Sequence, residues 1–216
     1  VRIVRTVGQR RVTAVVVGVL CVVALAGCGT LKAGSAAIVG EEQLTQADVT
    51  DVTEELDAEL AEAGVESSVP ANEVPLYIVA TWVDATLVES LAADEGVSVT
   101  PGELDDAIAG FDEEVRRQLI AERALPPSQF ERAVQAFLLQ QKLATQLAPD
   151  ADPEGQSAAV RVAMAETAER LGVSVNPRFG SWNPSIPGVE PRAEDRLSSI
   201  DVTIEEPAAP LAPAVP

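Results

Sequence analysis

Ala36-Ala37-Ile38-Val39-Gly40-Glu41-Glu42-Gln43-Leu44-Thr45-Gln46-Ala47-Asp48-Val49 sets the fold by carrying a strand, a turn and a helix start in succession. The small apolar run Ala36 to Val39 predicts a short strand ended by Gly40, with Glu41-Glu42 as the turn and Gln43-Leu44 as a brief return. Thr45 then opens a helix. Thr45-Gln46-Ala47-Asp48 approximates a capping box, with aspartate in the place where glutamate is the better partner. Val49, Val52, Leu56 and Leu60 follow at i, i+3, i+7 and i+11, one apolar stripe on an otherwise acidic helix that Gly64 closes.

Working back toward the beginning, residues 28–35 read as a tether and residues 1–27 as a secretory leader. Arg2, Arg5, Arg10 and Arg11 form a positive segment, and Val12 to Ala26 is almost wholly apolar. That apolar stretch spans about 15 residues, short of the roughly 20 that a transmembrane helix needs. Leu25-Ala26-Gly27-Cys28 resembles a bacterial lipobox, which makes Cys28 the expected lipidation site and the cell membrane, extracytoplasmic face, the expected location. Cleavage there leaves one cysteine, already committed to lipid, so no disulfide stabilises the mature domain and its own core must do so.

Working forward, the pattern predicts four more helices. Residues 72–93 are apolar on more than one face, through Tyr77, Ile78, Trp82, Ala85, Leu87, Val88 and Leu91, as a central bundle helix is. Thr100-Pro101-Gly102-Glu103 starts the next, with a capping threonine, proline at the first helical position and glutamate completing the box. Its stripe, Leu104, Ile108, Phe111, Val115 and Leu119, runs as one helix to Leu125-Pro126-Pro127. The fourth helix carries Phe130, Val134, Phe137, Leu138, Leu143 and Leu147. The fifth, from about Glu154 to Leu171, carries Val160, Met164, Ala168 and Leu171. Val173-Ser174-Val175 alternates as a short strand, residues 176–184 form a loop with two aromatics, and residues 185–216 read as a disordered Pro/Ala-rich tail. The fold class is therefore mainly α, five helices with two or three short strands.

Composition narrows the function. Four of the fifteen Lys/Arg residues and none of the 34 acids lie in the leader, so the mature chain carries eleven cations against 34 anions, a net of −23. Such a charge argues against nucleic acid and anionic lipid surfaces as partners. The chain has no histidine, which excludes Ser-His-Asp and Cys-His catalysis and histidine metal sites. Asp150-Ala151-Asp152-Pro153-Glu154-Gly155 imitates the start of a calcium loop, but Arg161 stands where the bidentate glutamate belongs, and the run reads better as an acidic cap on the next helix. The acids at Glu54, Glu55, Asp57, Glu59 and Glu62 read as a solvated face rather than paired catalytic carboxylates. No catalytic residue, cofactor or metal is expected.

The order of elements resembles the N-terminal domain of SurA-type and PrsA-type extracytoplasmic chaperones. The matching residues in the opening are Ile38, Val39, Gly40, Leu44, Thr45 and Asp48. Leu91 to Asp105, through Gly96-Val97-Ser98-Val99-Thr100 and Glu103-Leu104-Asp105, resembles the family's helix junction. The Phe130-Glu131-Arg132 helix follows where the next family helix belongs, and Val175-Asn176-Pro177-Arg178-Phe179-Gly180 is similar to a segment of actinobacterial lipoproteins in this group. The resemblance covers residues 36–184, the expected chaperone domain. It implies that the fifth helix packs back on the N-terminal elements and that Val173 to Val175 lies beside Ala36 to Val39. The family's isomerase activity belongs to a separate parvulin domain between the last two helices. The short Ala148 to Gly155 link leaves no room for one, so the resemblance implies the chaperone module without the enzyme.

The function so implied is a lipid-anchored protein binding unfolded or nascent exported chains. The alternative is a structural or assembly lipoprotein with one dedicated protein partner, and a peptidyl-prolyl isomerase ranks behind both. The candidate partner-binding residues are Tyr77, Trp82, Arg178, Phe179 and Trp182. Tyr77 and Trp82 either line a groove or fill the bundle. Arg178 either contacts a partner or pairs with a helix acid and pins its loop to the core.

Overall fold

A computed structural model describes residues 32–191. Residues 1–31, which hold the expected leader and Cys28, and residues 192–216 lie outside the described residues. The opening stretch forms β1 (Ser35–Val39), β2 (Glu42–Thr45) and α1 (Gln46–Ala63). The capping box is complete: the Asp48 N–H donates to Thr45 Oγ1 at 3.1 Å and the Thr45 N–H to Asp48 Oδ2 at 2.8 Å. Val49, Leu56 and Leu60 are buried, as the stripe requires.

The remaining elements are α2 (Val74–Asp94), α3 (Pro101–Ala109), α4 (Glu113–Arg123), α5 (Pro127–Leu147), α6 (Pro153–Leu171), β3 (Val173–Val175), β4 (Ser181–Asn183) and β5 (Gly188–Glu190). Helix α2 is the hub. It packs against α1, α5, α6, β1 and β5, and Ile78, Val79, Val83, Leu87 and Val88 on several of its faces are all but inaccessible to solvent. Among the described residues it is also the one helix long and apolar enough to cross a membrane. Its neighbours on several sides account for that apolarity, because a helix covered on several sides has few positions that benefit from polar residues.

Strand β1 is the centre of a three-stranded antiparallel sheet ordered β2-β1-β3. Ala37 faces Leu44 on one side and Val175 on the other, and Val39 faces Glu42 and Val173. The expected pairing of Val173 to Val175 with Ala36 to Val39 is thus met. Helix α6 packs on α2 and α5, and its last residue, Leu171, lies against Gly40. Gly40 has φ 60°, and its N–H donates to the Gly172 carbonyl at 3.1 Å.

Several expectations need correction. Six helices are present among the described residues, not five, because the helix expected to run unbroken from Thr100 breaks at Gly110-Phe111-Asp112. Two local devices make the break. Asp112 starts α4 afresh by accepting from the Val115 N–H at 2.8 Å. The Arg116 guanidinium donates to the Ile108 and Phe111 carbonyls, both at 3.2 Å, and so braces the turn that follows α3. Phe111 turns to meet Phe130 edge-on at 5.3 Å. Val115, expected in the stripe, is exposed.

In α5 the buried residues are Val134, Ala136, Leu139 and Leu143, and Phe137 is 55% exposed. Phe137 stands two positions from Leu139, about 200° round the helix. Five strands form among the described residues, not two or three, since β4 and β5 make a hairpin in which Trp182 faces Val189. Ordered structure therefore continues past residue 184 to β5, and Ser35, placed in the tether, is a buried residue of β1.

Candidate functional site

The loop between β3 and β4 is shaped by Asn176. Its backbone N–H donates to the Ala36 carbonyl at 2.8 Å and its side-chain amide to the Ser35 carbonyl at 3.1 Å, which fastens the loop to the start of β1. Its side-chain oxygen accepts from the Arg178 N–H at 3.0 Å and its carbonyl from the Phe179 N–H at 2.8 Å. Such side-chain turns hold a backbone bend without help from secondary structure. The bend sends Phe179 into the core, where it is 7% exposed, and leaves Arg178 in solvent.

Gly180 comes next, with φ 127°. A Cβ there would sit 2.6 Å from the Glu190 carbonyl oxygen and 2.8 Å from Leu76 Cδ1. Only glycine allows β5 and α2 to close on the loop.

Between this loop and α1 lies an open cleft of about 360 Å³. Gln46, Thr50 and Glu54 line one wall, Arg178 and Phe179 another, with Pro75 also contributing. Glu54 and Arg178 carry opposite charges in the same cleft, yet among the described residues they form no ion pair within 4.0 Å. The four ion pairs found there are Arg117 with Glu114, Arg132 with Glu89, Lys142 with Glu103, and Arg170 with Asp94. The expectation that Arg178 pairs with a helix acid is therefore corrected. The Arg178 guanidinium instead lies 5.6 Å from the ring centre of Phe179, and the Asn176 turn, not an ion pair, pins the loop.

The five candidate partner-binding residues do not converge. Arg178 and Phe179 share the cleft, but buried Phe179 offers little free surface. Tyr77 is 40% exposed beside Val189, whose cross-strand partner is the half-buried Trp182. Trp82 is half-buried at a different place, with the Arg132 guanidinium 5.8 Å from its ring centre. That arginine holds Glu89 through two hydrogen bonds of 2.8 and 2.7 Å and donates to Thr86 Oγ1 at 2.9 Å, joining α5 to α2.

That link escaped the sequence reading, and so did two more between helices. Glu55, placed on a solvated face, accepts from the Ser128 N–H at 2.9 Å and from the Ser128 hydroxyl. It caps α5, whose own cap residue, Pro126, has no side-chain acceptor. Lys142 donates to both oxygens of Glu103 at 2.7 and 2.8 Å and to the Ser98 carbonyl at 2.8 Å. The lysine and the Thr100 cap together hold the Glu103 carboxyl down to about 2, from an ordinary 4.5. Asp152 caps α6 through the Gly155 N–H at 2.8 Å, as the acidic run before that helix suggested.

Among families of known proteins, the SurA-like N-terminal domain matches residues 2–144 of the 216. The chain belongs to the SurA-like N-terminal domain family. No curated protein and no solved structure matches it. The family is chaperone-like and binds client proteins in general. In this SurA-like domain the match takes in β1, β2, α1 to α4 and nearly all of α5. Helix α6, β3 and the Arg178 loop lie beyond it, so the cleft joins a matched wall, α1, to an unmatched one.

Proposed function

We propose that this protein is a chaperone-like module that binds extended segments of exported proteins in the cleft between α1 and the Arg178 loop, tethered by lipid on Cys28 to the extracytoplasmic face of the cell membrane. The observation that carries the reading is the cleft. Its volume of about 360 Å³ falls in the size range of ligand sites, it is open to solvent, and no ion pair within the described residues closes it. Its lining mixes apolar Ala47 and Pro75 with polar Gln46 and Thr50, a surface suited to many sequences rather than one small molecule.

The leader supports the location. Ser35, the first residue of β1, follows Cys28 by seven positions, about 25 Å of fully extended chain. Ser35 pairs with Thr45, the cap of α1, so the cleft sits beside the root of the tether. Between α5 and α6 lie only residues 148–152, which supports binding without isomerisation.

The test is aggregation of a denatured protein followed by light scattering. The full chain in nanodiscs should suppress scattering at near-stoichiometric ratios, and empty nanodiscs should not. Equal scattering with and without the protein refutes client binding. A proline-isomerisation rate above background for a model peptide refutes the non-enzymatic reading. Mass spectrometry of cell envelopes that finds Cys28 unmodified refutes the anchor.

A further inference from the structure

The cleft has a charge pattern that assigns it a narrower class of client. Arg178 and Glu54 both line it, and neither takes part in an ion pair among the described residues. The Arg178 backbone is fixed by the Asn176 side chain, and its guanidinium rests against the face of Phe179, which is itself fixed in the core. The cation is thus held at the cleft with its donors unspent. An arginine so placed offers a planar fork that matches a carboxylate with two parallel hydrogen bonds.

The rest of the lining restricts what accompanies that carboxylate. Ala47 and Pro75 suit an apolar side chain, and the Gln46 and Thr50 side chains suit a peptide backbone. We propose that the cleft prefers extended client segments carrying an acidic side chain next to apolar residues, with the carboxylate on Arg178. This rests on the proposed function and adds a sequence preference to it. The preference runs against the field of the whole molecule, since 34 acids against 15 Lys/Arg attract basic peptides over long range. It is therefore local and depends on one side chain.

The experiment uses the full chain in nanodiscs of neutral lipid and three fluorescent peptides, identical except for Asp, Asn or Lys at the centre of an apolar run. Because Arg178 is exposed, the Asp peptide should bind about three- to five-fold more tightly than the Asn peptide at low salt. Arg178→Gln should remove that ratio, and Arg178→Glu should favour the Lys peptide. Thermal melting of each variant should match the parent, because the Arg178 side chain makes no hydrogen bond among the described residues. An Asp to Asn ratio of one in the parent, or a ratio that survives Arg178→Gln, overturns the preference and leaves the proposed function standing. Failure of all three peptides to bind overturns both.

Discussion

Replacing Gly180 with alanine tests whether the Arg178 loop is held by close packing. Gly180 adopts φ 127°, where L side chains are strained, and such backbone strain costs about 1–3 kcal/mol. The added methyl would also lie 2.6 Å from the Glu190 carbonyl oxygen, 2.8 Å from Leu76 Cδ1 and 3.0 Å from Val189 Cγ1. Overpacking of this kind costs a further 1–3 kcal/mol or so, and the backbone oxygen has no rotamer by which to yield. The combined loss should be about 3 kcal/mol or more.

Gly64→Ala is the matched control. Gly64 has φ 65° with nothing within 4 Å of an added Cβ, so it isolates conformational strain, about 1 kcal/mol. Urea unfolding of both variants, followed by Trp82 and Trp182 fluorescence, gives the difference. If Gly180→Ala falls within 1 kcal/mol of Gly64→Ala, the close approach of β5 and α2 to the loop does not hold the cleft wall, and the reasoning fails.

Three further outcomes follow from the interhelical links and the core. Glu55→Ala should cost about 1 kcal/mol as a lost helix cap, and a double-mutant cycle with Ser128→Ala in urea should show coupling between the two. Glu103 has a folded pKa lowered to about 2, so its stabilisation is complete above the ordinary 4.5 and is lost as pH falls through about 2; Lys142→Met should flatten that acid limb of the stability profile measured by circular dichroism. Leu143→Ala, at a fully buried position of α5, should cost about 3–5 kcal/mol in urea unfolding, whereas Phe137→Ala on the exposed side should cost far less.

What could be read from the chain, and what could not, divides by the range of the interaction. The starts of α1 and α3 were legible because a capping box joins residues three apart, and both boxes formed as written. The central place of α2 was legible because packing on several sides removes polar residues from most of its faces. The break at Gly110-Phe111-Asp112 was not, because the apolar stripe continues in sequence across it while Arg116 ends α3 by reaching back to Ile108. Glu55 looked like any acid on a solvated helix, since its partner Ser128 is 73 residues away. The candidate site was half legible. Arg178 stood out between Pro177 and Phe179, but the wall opposite it is built from residues more than a hundred positions earlier, and no local pattern announces that meeting.

The three-stranded sheet also ties the two ends of the described fold together. Its middle ribbon, Ser35 to Val39, takes β2 on one edge from a tight hairpin. Its other edge is filled by Val173 to Val175, well over a hundred residues further along the chain. A chain cut before Gly172 therefore lacks the strand that closes the sheet, and the second edge of its central ribbon is left with open backbone donors and acceptors.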